Sequence, residues 1–101
     1  MSRLDLQREL VDILGSNNVY FQPPESIKLS YPCIVYSLSS VDSTYSDDQT
    51  YINTRRYDIT VIDKNPDTTI WNDILNHFKY CRFDRTYISD NLNHYILSLY
   101  Y

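Results

Sequence analysis

Residues 33–63, CIVYSLSSVDSTYSDDQTYINTRRYDITVID, decide the fold of this chain. In the first segment, CIVYSLS at 33–39, Ile34, Tyr36 and Leu38 fall on one face, and in the last, RRYDITVID at 55–63, Tyr57, Ile59 and Val61 do. A period of two residues predicts two strands that each have one covered face. Between them, residues 39–54 contain no glycine, no proline and no apolar periodicity.

The length of this polar connection needs an explanation. Structureless loops longer than about 12 to 15 residues are uncommon in compact domains unless they are functional or disordered. We therefore predict that residues 39–54 continue the two strands as a projecting hairpin arm, which becomes ordered only when a neighbouring subunit covers Tyr45 and Tyr51. A loop without a role is the alternative. The candidate assembly residues are Asp42, Tyr45, Asp47, Asp48, Tyr51, Arg55 and Arg56, joined by Tyr100 and Tyr101 near the end of the sequence.

The sequence before this stretch predicts one helix and one short strand. Ser2 and Asp5 form a capping-box pattern ahead of apolar residues at helical spacing, and Gly15, the only glycine, follows as a helix stop. Residues 19–21 are β-prone, but Pro23 and its proline neighbour limit this strand to an edge or an end of the sheet.

After residue 63 the sequence predicts a second helix and a hairpin. Asn65 can cap a helix whose first residue is Pro66, and an apolar stripe from Ile70 to Phe78 follows. Two strand-like runs flank a turn at 89–91. The order α-β-β-β-α-β-β predicts a single α+β domain over 1–101: an antiparallel sheet of about four to five strands with two helices on one face.

Composition narrows the classes of function. The net charge is −4 and the pI about 4.8, so generic attraction to nucleic-acid phosphates or to anionic membranes is not expected. No apolar run reaches the ~18 residues of a membrane span, and the charged start MSRLDLQREL does not fit a signal peptide. We expect the protein to be made in the cytoplasm and to have no membrane partner.

Catalytic and metal-binding patterns are missing from the sequence. His77 and His94 have no acidic or thiol partner at ligand spacing, and Cys33 and Cys81 fall in strand-like runs, which favours buried apolar thiols over a disulfide. A single glycine excludes the usual phosphate-binding loops. We predict no enzyme activity, no catalytic residue, no metal and no cofactor.

Two groups of charged residues resemble functional sites, but each has a simpler explanation. Asp42, Asp47 and Asp48 resemble a metal or acid–base cluster, but their segment has no rigid frame, which favours solvated charge. Arg82 and Arg85 flank Phe83 as in some nucleic-acid binders. Because Arg82 alternates with Phe83 along a strand, it is expected to face away from the core, where an acidic neighbour or a protein partner suits it better.

Tyrosine content favours an interaction protein. The chain has 11 tyrosines, more than a core of this size can supply with hydrogen-bond partners. Tyrosine provides rigid contact area and is enriched at protein interfaces. Some tyrosines can be explained by positions along sheet edges or on amphipathic elements. That explanation does not account for Tyr45, Tyr51, Tyr100 and Tyr101 together, which favour a role in assembly.

The whole pattern resembles the tail-terminator (tail-completion) proteins of long-tailed bacteriophages. The resemblance rests on a helix ending at Gly15, the segment NVYFQPPES, the strand YPCIVYSL, a long polar excursion, RRYDITVIDKNPD before a helix, and a final hairpin. It implies a virion protein of the tail and neck that forms a homohexameric ring on the tail tube, ends tube growth, and presents its other face to the neck or connector protein.

The acidic residues agree with that implication, because an acidic lumen lets DNA pass without specific binding. The chain is short for the family, so another neck protein, such as a head-closure component, is an alternative. A second alternative from a different class is a small acidic inhibitor or immunity-type protein that binds a basic enzyme.

Overall fold

The structure, a computed structural model, describes residues 2–45 and 51–101. It has two helices and one five-stranded sheet in the predicted α+β order α-β-β-β-α-β-β. The elements are α1 (Arg3–Leu14), β1 (Val19–Phe21), β2 (Cys33–Tyr45), β3 (Tyr51–Asp63), α2 (Ile70–His77), β4 (Cys81–Ser89) and β5 (Leu92–Tyr100).

Helix α1 begins and ends as its sequence predicts. The Ser2 hydroxyl accepts a hydrogen bond from the Asp5 amide, and the Asp5 carboxylate accepts one from the Ser2 amide, which completes the capping box. The Ser2 amide bond is the main cause of the lowered pKa of Asp5. At the other end Gly15 has a φ of 80°, a left-handed value that favours glycine, and its amide donates to the Val11 carbonyl.

The sheet order is β1-β2-β3-β5-β4. Three of the strand pairs are antiparallel, as predicted, but β1 runs parallel to β2, so the sheet is mixed. The reason lies in residues 22–32, a connection long enough to bring the chain back to the start of β2. With only three residues, β1 is the short edge strand that the two prolines predict.

Both helices pack on one face of the sheet. Alternate residues of the central strands meet the apolar stripes of the helices there, and each fully buried large apolar side chain contributes roughly 1.5–3 kcal/mol. The buried cluster contains Leu6, Leu10, Val19, Ile34, Tyr36, Tyr57, Ile59, Val61, Ile74, Phe78, Leu97 and Leu99. Tyr36 belongs to it because its hydroxyl has partners: it donates to the Gln7 side chain and accepts from Arg3 at 3.1 Å.

The predicted start of α2 is wrong. The Asn65 side chain accepts from the Asp67 amide at 3.0 Å, so it closes a local turn around Pro66 and does not cap a helix. Helix α2 starts at Ile70 instead, after Thr69, which makes no side-chain capping bond. The predicted apolar stripe from Ile70 to Phe78 is confirmed against the core.

The final hairpin forms where it was predicted. Asp90 and Asn91 connect β4 to β5 with φ values of 52° and 62°. Asn and Asp tolerate this left-handed backbone better than most residues, and two such residues in succession suit the twist of an antiparallel hairpin.

The other face of the sheet is partly covered by the 22–32 connection. Pro23, Ile27 and Leu29 line a groove there together with Val35 and Ile62. The free thiol of Cys33 is fully buried, as predicted, whereas that of Cys81 is only half-buried. Burial raises the pKa of both thiols to about 11.

Candidate assembly surface

The predicted hairpin arm is present in the backbone. Strand β2 continues to Tyr45 and β3 begins at Tyr51, opposite it, so both strands extend beyond the alternating segments 33–39 and 55–63 into residues 39–54, as predicted. In the described chain, β1 accompanies β2 only as far as Tyr36, and β5 accompanies β3 only as far as Arg56. Beyond these points the sheet narrows to a two-stranded ribbon. We call residues 39–54 the arm, of which the structure describes 39–45 and 51–54.

A β-bulge marks the base of the arm. The register of β2 with β3 shifts between Leu38 and Ser40, which leaves Ser39 as the extra residue. Its hydroxyl accepts a hydrogen bond of 2.7 Å from the Arg56 guanidinium on the facing strand. A bulge increases the local twist of a strand pair, so it changes the direction in which the arm leaves the sheet.

The geometry of the arm leaves backbone groups without strand partners. Along 40–45 and 51–54, each strand pairs on one side only in the part of the chain that the structure describes. A lone two-stranded ribbon is marginally stable in water, and such edges are templates for pairing with another chain. The arm is therefore suited to contact with a second molecule.

The structure brings some of the predicted site residues together and separates others. Asp42, Tyr45 and Tyr51 lie in the paired strands of the arm, with Asp42 opposite Thr54. Asp47 and Asp48 lie outside the described residues.

The remaining predicted residues lie at the base of the arm. Arg55 is exposed, whereas Arg56 is half-buried and bonded to Ser39. Tyr100 is 38% exposed. Tyr101 is half-buried, packs against Phe78 and bonds within the chain, so much of its surface serves the fold.

An aromatic cleft lies beside the base of the arm, on the helix side. It has a volume of about 420 Å³, and Thr54 of the arm contributes to its wall. Its rim carries Tyr80, which is 63% exposed, and Tyr100. A second hollow of about 260 Å³ is lined by these tyrosines and by Arg82 and Ser98. Exposed tyrosines flanked by hollows are typical anchors of protein interfaces.

The floor of the cleft holds a hydrogen-bonded group that sequence reasoning missed. Glu9 of α1 accepts from the Tyr101 hydroxyl with one carboxylate oxygen, and its other oxygen lies 3.0 Å from Nε2 of His77. The bond from Tyr101 is the main cause of the lowered pKa of Glu9, and that from His77 adds to it. Burial, followed by the bond to Glu9, raises the pKa of Tyr101.

This group connects α1, α2 and the residue after β5. Each carboxylate oxygen of Glu9 contacts one of these partners, so Glu9 links the three elements through hydrogen bonds. Its partners are 68 and 92 residues away along the chain, a separation for which the sequence carries no local signal.

The outer edge of β4 is basic, although the protein is acidic. Lys79, Arg82 and Arg85 stand in or next to the start of this strand and are exposed. The prediction that Arg82 faces away from the core is confirmed, since it pairs with Ser98 while Phe83 packs on the core. A register shift at Asp84 then brings Arg85 opposite Ile96. The contact of Arg85 with Asp84 measures 3.7 Å and is exposed, so it neutralises little.

Among residues 2–45 and 51–101, no group of three His, Cys, Asp or Glu residues could hold a metal ion. No helix in that same part of the chain has the length and apolar character needed to cross a membrane. Comparison with protein-family models finds no match, and a search of curated proteins finds no similar sequence.

Proposed function

We propose that this protein is a non-catalytic assembly subunit that forms a closed ring with copies of itself, and that this ring ends the tail tube of a long-tailed bacteriophage. The arm is the observation that carries the proposal. It projects from a small domain as a ribbon with strand partners on one side only along 40–45 and 51–54 of the described chain.

The arm favours assembly because of its energetics. The body of the domain already has a buried cluster between the helices and the sheet, whereas Val41 of the arm is exposed. A ribbon of this kind gains stability when a second chain pairs with its edges or covers its side chains. A surface that receives the arm elsewhere on an identical subunit makes a head-to-tail contact, and such contacts close into a ring when the rotation between neighbouring subunits divides a full turn.

The place of the ring in a virion is proposed from the family resemblance. Tail terminators stand between the last ring of the tube and the neck, so the partners are a second copy, the tail tube protein and the neck or connector protein. The net charge of −4 fits a channel through which DNA passes without specific binding. The site of action is then the tail and neck of the virion.

A role without catalysis is supported by the cleft beside the arm. Both carboxylate oxygens of Glu9 are engaged there, by His77 and Tyr101, in contacts between elements of the fold. A catalytic carboxylate instead needs an oxygen within hydrogen-bond reach of its substrate. The exposed aromatic rim suits a protein surface better than a small polar substrate.

Native mass spectrometry of the full chain tests whether it forms rings. Electron microscopy of the chain mixed with growing tail tubes tests whether it binds tube ends and stops tube growth. We expect rings of about six subunits, either free or only at tube ends, with tube lengths that stop increasing once the protein is added. A protein that stays monomeric and does not bind tube ends contradicts the proposal. A monomer that forms a tight one-to-one complex with a basic enzyme supports the inhibitor alternative instead.

A further inference from the structure

We propose that the outer edge of β4 is the surface that receives the arm of a second copy of this chain. This inference rests on the proposed function, since it identifies the two faces through which identical subunits join. It commits to strand pairing between the arm of one subunit and residues 81–89 of the next.

The backbone of β4 suits this role. In the described part of the chain, the sheet ends in β1 on one side and in β4 on the other. Strand β1 has three residues, whereas β4 has nine and pairs only with β5. An edge of that length matches the seven residues 39–45 of the arm, and pairing would satisfy amides and carbonyls on both strands.

Charge determines which surface the arm binds. Residues 39–54 contain Asp42, Asp47 and Asp48 and no lysine or arginine. The chain from 79 to 85 carries three of the nine cations of the protein, with Asp84 as its one carboxylate. The arm is therefore complementary to the β4 edge and repelled by another arm, which favours a head-to-tail contact over a symmetric one.

Apolar groups on the β4 edge provide contact area. Tyr80 is 63% exposed, Tyr87 45% and Ile88 74%, and they stand before, within and near the end of the strand. On the arm, Val41 is 51% exposed. Large apolar side chains on both surfaces supply the buried anchors that an interface needs, while the charges select the register.

A charge exchange tests the inference. The edge variant carries Arg82→Glu and Arg85→Glu, and the arm variant carries Asp42→Lys, Asp47→Lys and Asp48→Lys. Each variant alone places like charges on the two faces, so we expect assembly more than about tenfold weaker than in the wild type. A one-to-one mixture of both variants restores opposite charges at every contact, and so does a single chain that carries all five substitutions. Both should form rings.

Matched controls separate this effect from total charge. Arg8→Glu with Lys28→Glu reproduces the charge change of the edge variant, and Asp12→Lys, Asp67→Lys and Asp73→Lys reproduce that of the arm variant, all at exposed positions outside the arm and outside residues 79–89. Circular dichroism of each variant checks that it is folded. The controls should assemble as the wild type does.

The outcomes distinguish this inference from the proposed function. If the edge or the arm variant assembles as the wild type does, or if neither the mixture nor the five-substitution chain recovers rings, the inference is wrong while the assembly role stands. If the wild-type protein never assembles, the proposed function itself fails. Rings from the mixture and from the five-substitution chain, with none from either variant alone, establish the pairing of the arm with β4.

Discussion

The arm and the helix-covered body are parts of the same two strands, yet they differ in what stabilises them. In the body, Ile34 of β2 and Ile59 of β3 are fully buried beneath the helices. In the arm, Val41 of the same β2 is 51% exposed. Strand pairing continues without interruption from one region to the other apart from the bulge at Ser39. The difference shows that backbone pairing can extend well beyond the core that stabilises it.

A pair of alanine substitutions sharpens this comparison and has the largest expected effect. Ile59→Ala leaves a cavity in the core and should lower the free energy of unfolding by about 3–4 kcal/mol. Val41→Ala, on the other region, should lower it by less than about 0.5 kcal/mol, because little packing is lost at an exposed position. Urea denaturation of both variants measures the two values. Equal losses would mean that the arm belongs to the core.

The contact of Tyr101 with Glu9 offers a smaller effect that depends on pH. Because the hydrogen bond lowers the pKa of Glu9 from its ordinary 4.5, ionised Glu9 stabilises the fold above about that pH. The contribution is lost as the pH falls through the lowered pKa. Tyr101→Phe should therefore cost about 1 kcal/mol at pH 7 and less at pH 3.

Urea denaturation at the two pH values checks this expectation. Tyr80→Phe is the matched control, since its ring is largely in solvent, and it should change stability at neither pH. A cost of Tyr101→Phe that is the same at pH 7 and pH 3 would contradict the role assigned to the carboxylate.

Much of the fold could be predicted where the signal is local. The capping box at Ser2, the stop at Gly15 and the turn at Asp90 depend on residues within a few positions of one another. The alternating strands predicted the central sheet because one covered face imposes a period of two. The start of α2 could not be placed because Asn65 and Pro66 suit a turn as well as a helix start.

The candidate site was predictable only in part. The length and polarity of residues 39–54 predicted the arm, but its strand ends at Tyr45 and Tyr51 could not be placed because this stretch has no apolar period. The contacts of Glu9 with His77 and Tyr101, and the place of Tyr80 beside the arm, depend on tertiary packing. No spacing in the sequence encodes them.

The last prediction concerns the arm itself, where the expected change in stability is again small, and it tests the central claim most directly. Deletion of residues 42–50 joins Val41 directly to Tyr51. Residues 51–54 then form a short loop between Val41 and Arg55, which are paired across the two strands in the wild type. The free energy of unfolding and the mass in solution are measured on the same sample. We predict a change in unfolding free energy below about 1 kcal/mol together with complete loss of rings. An unfolded product, or a shortened chain that still forms rings, would contradict the account.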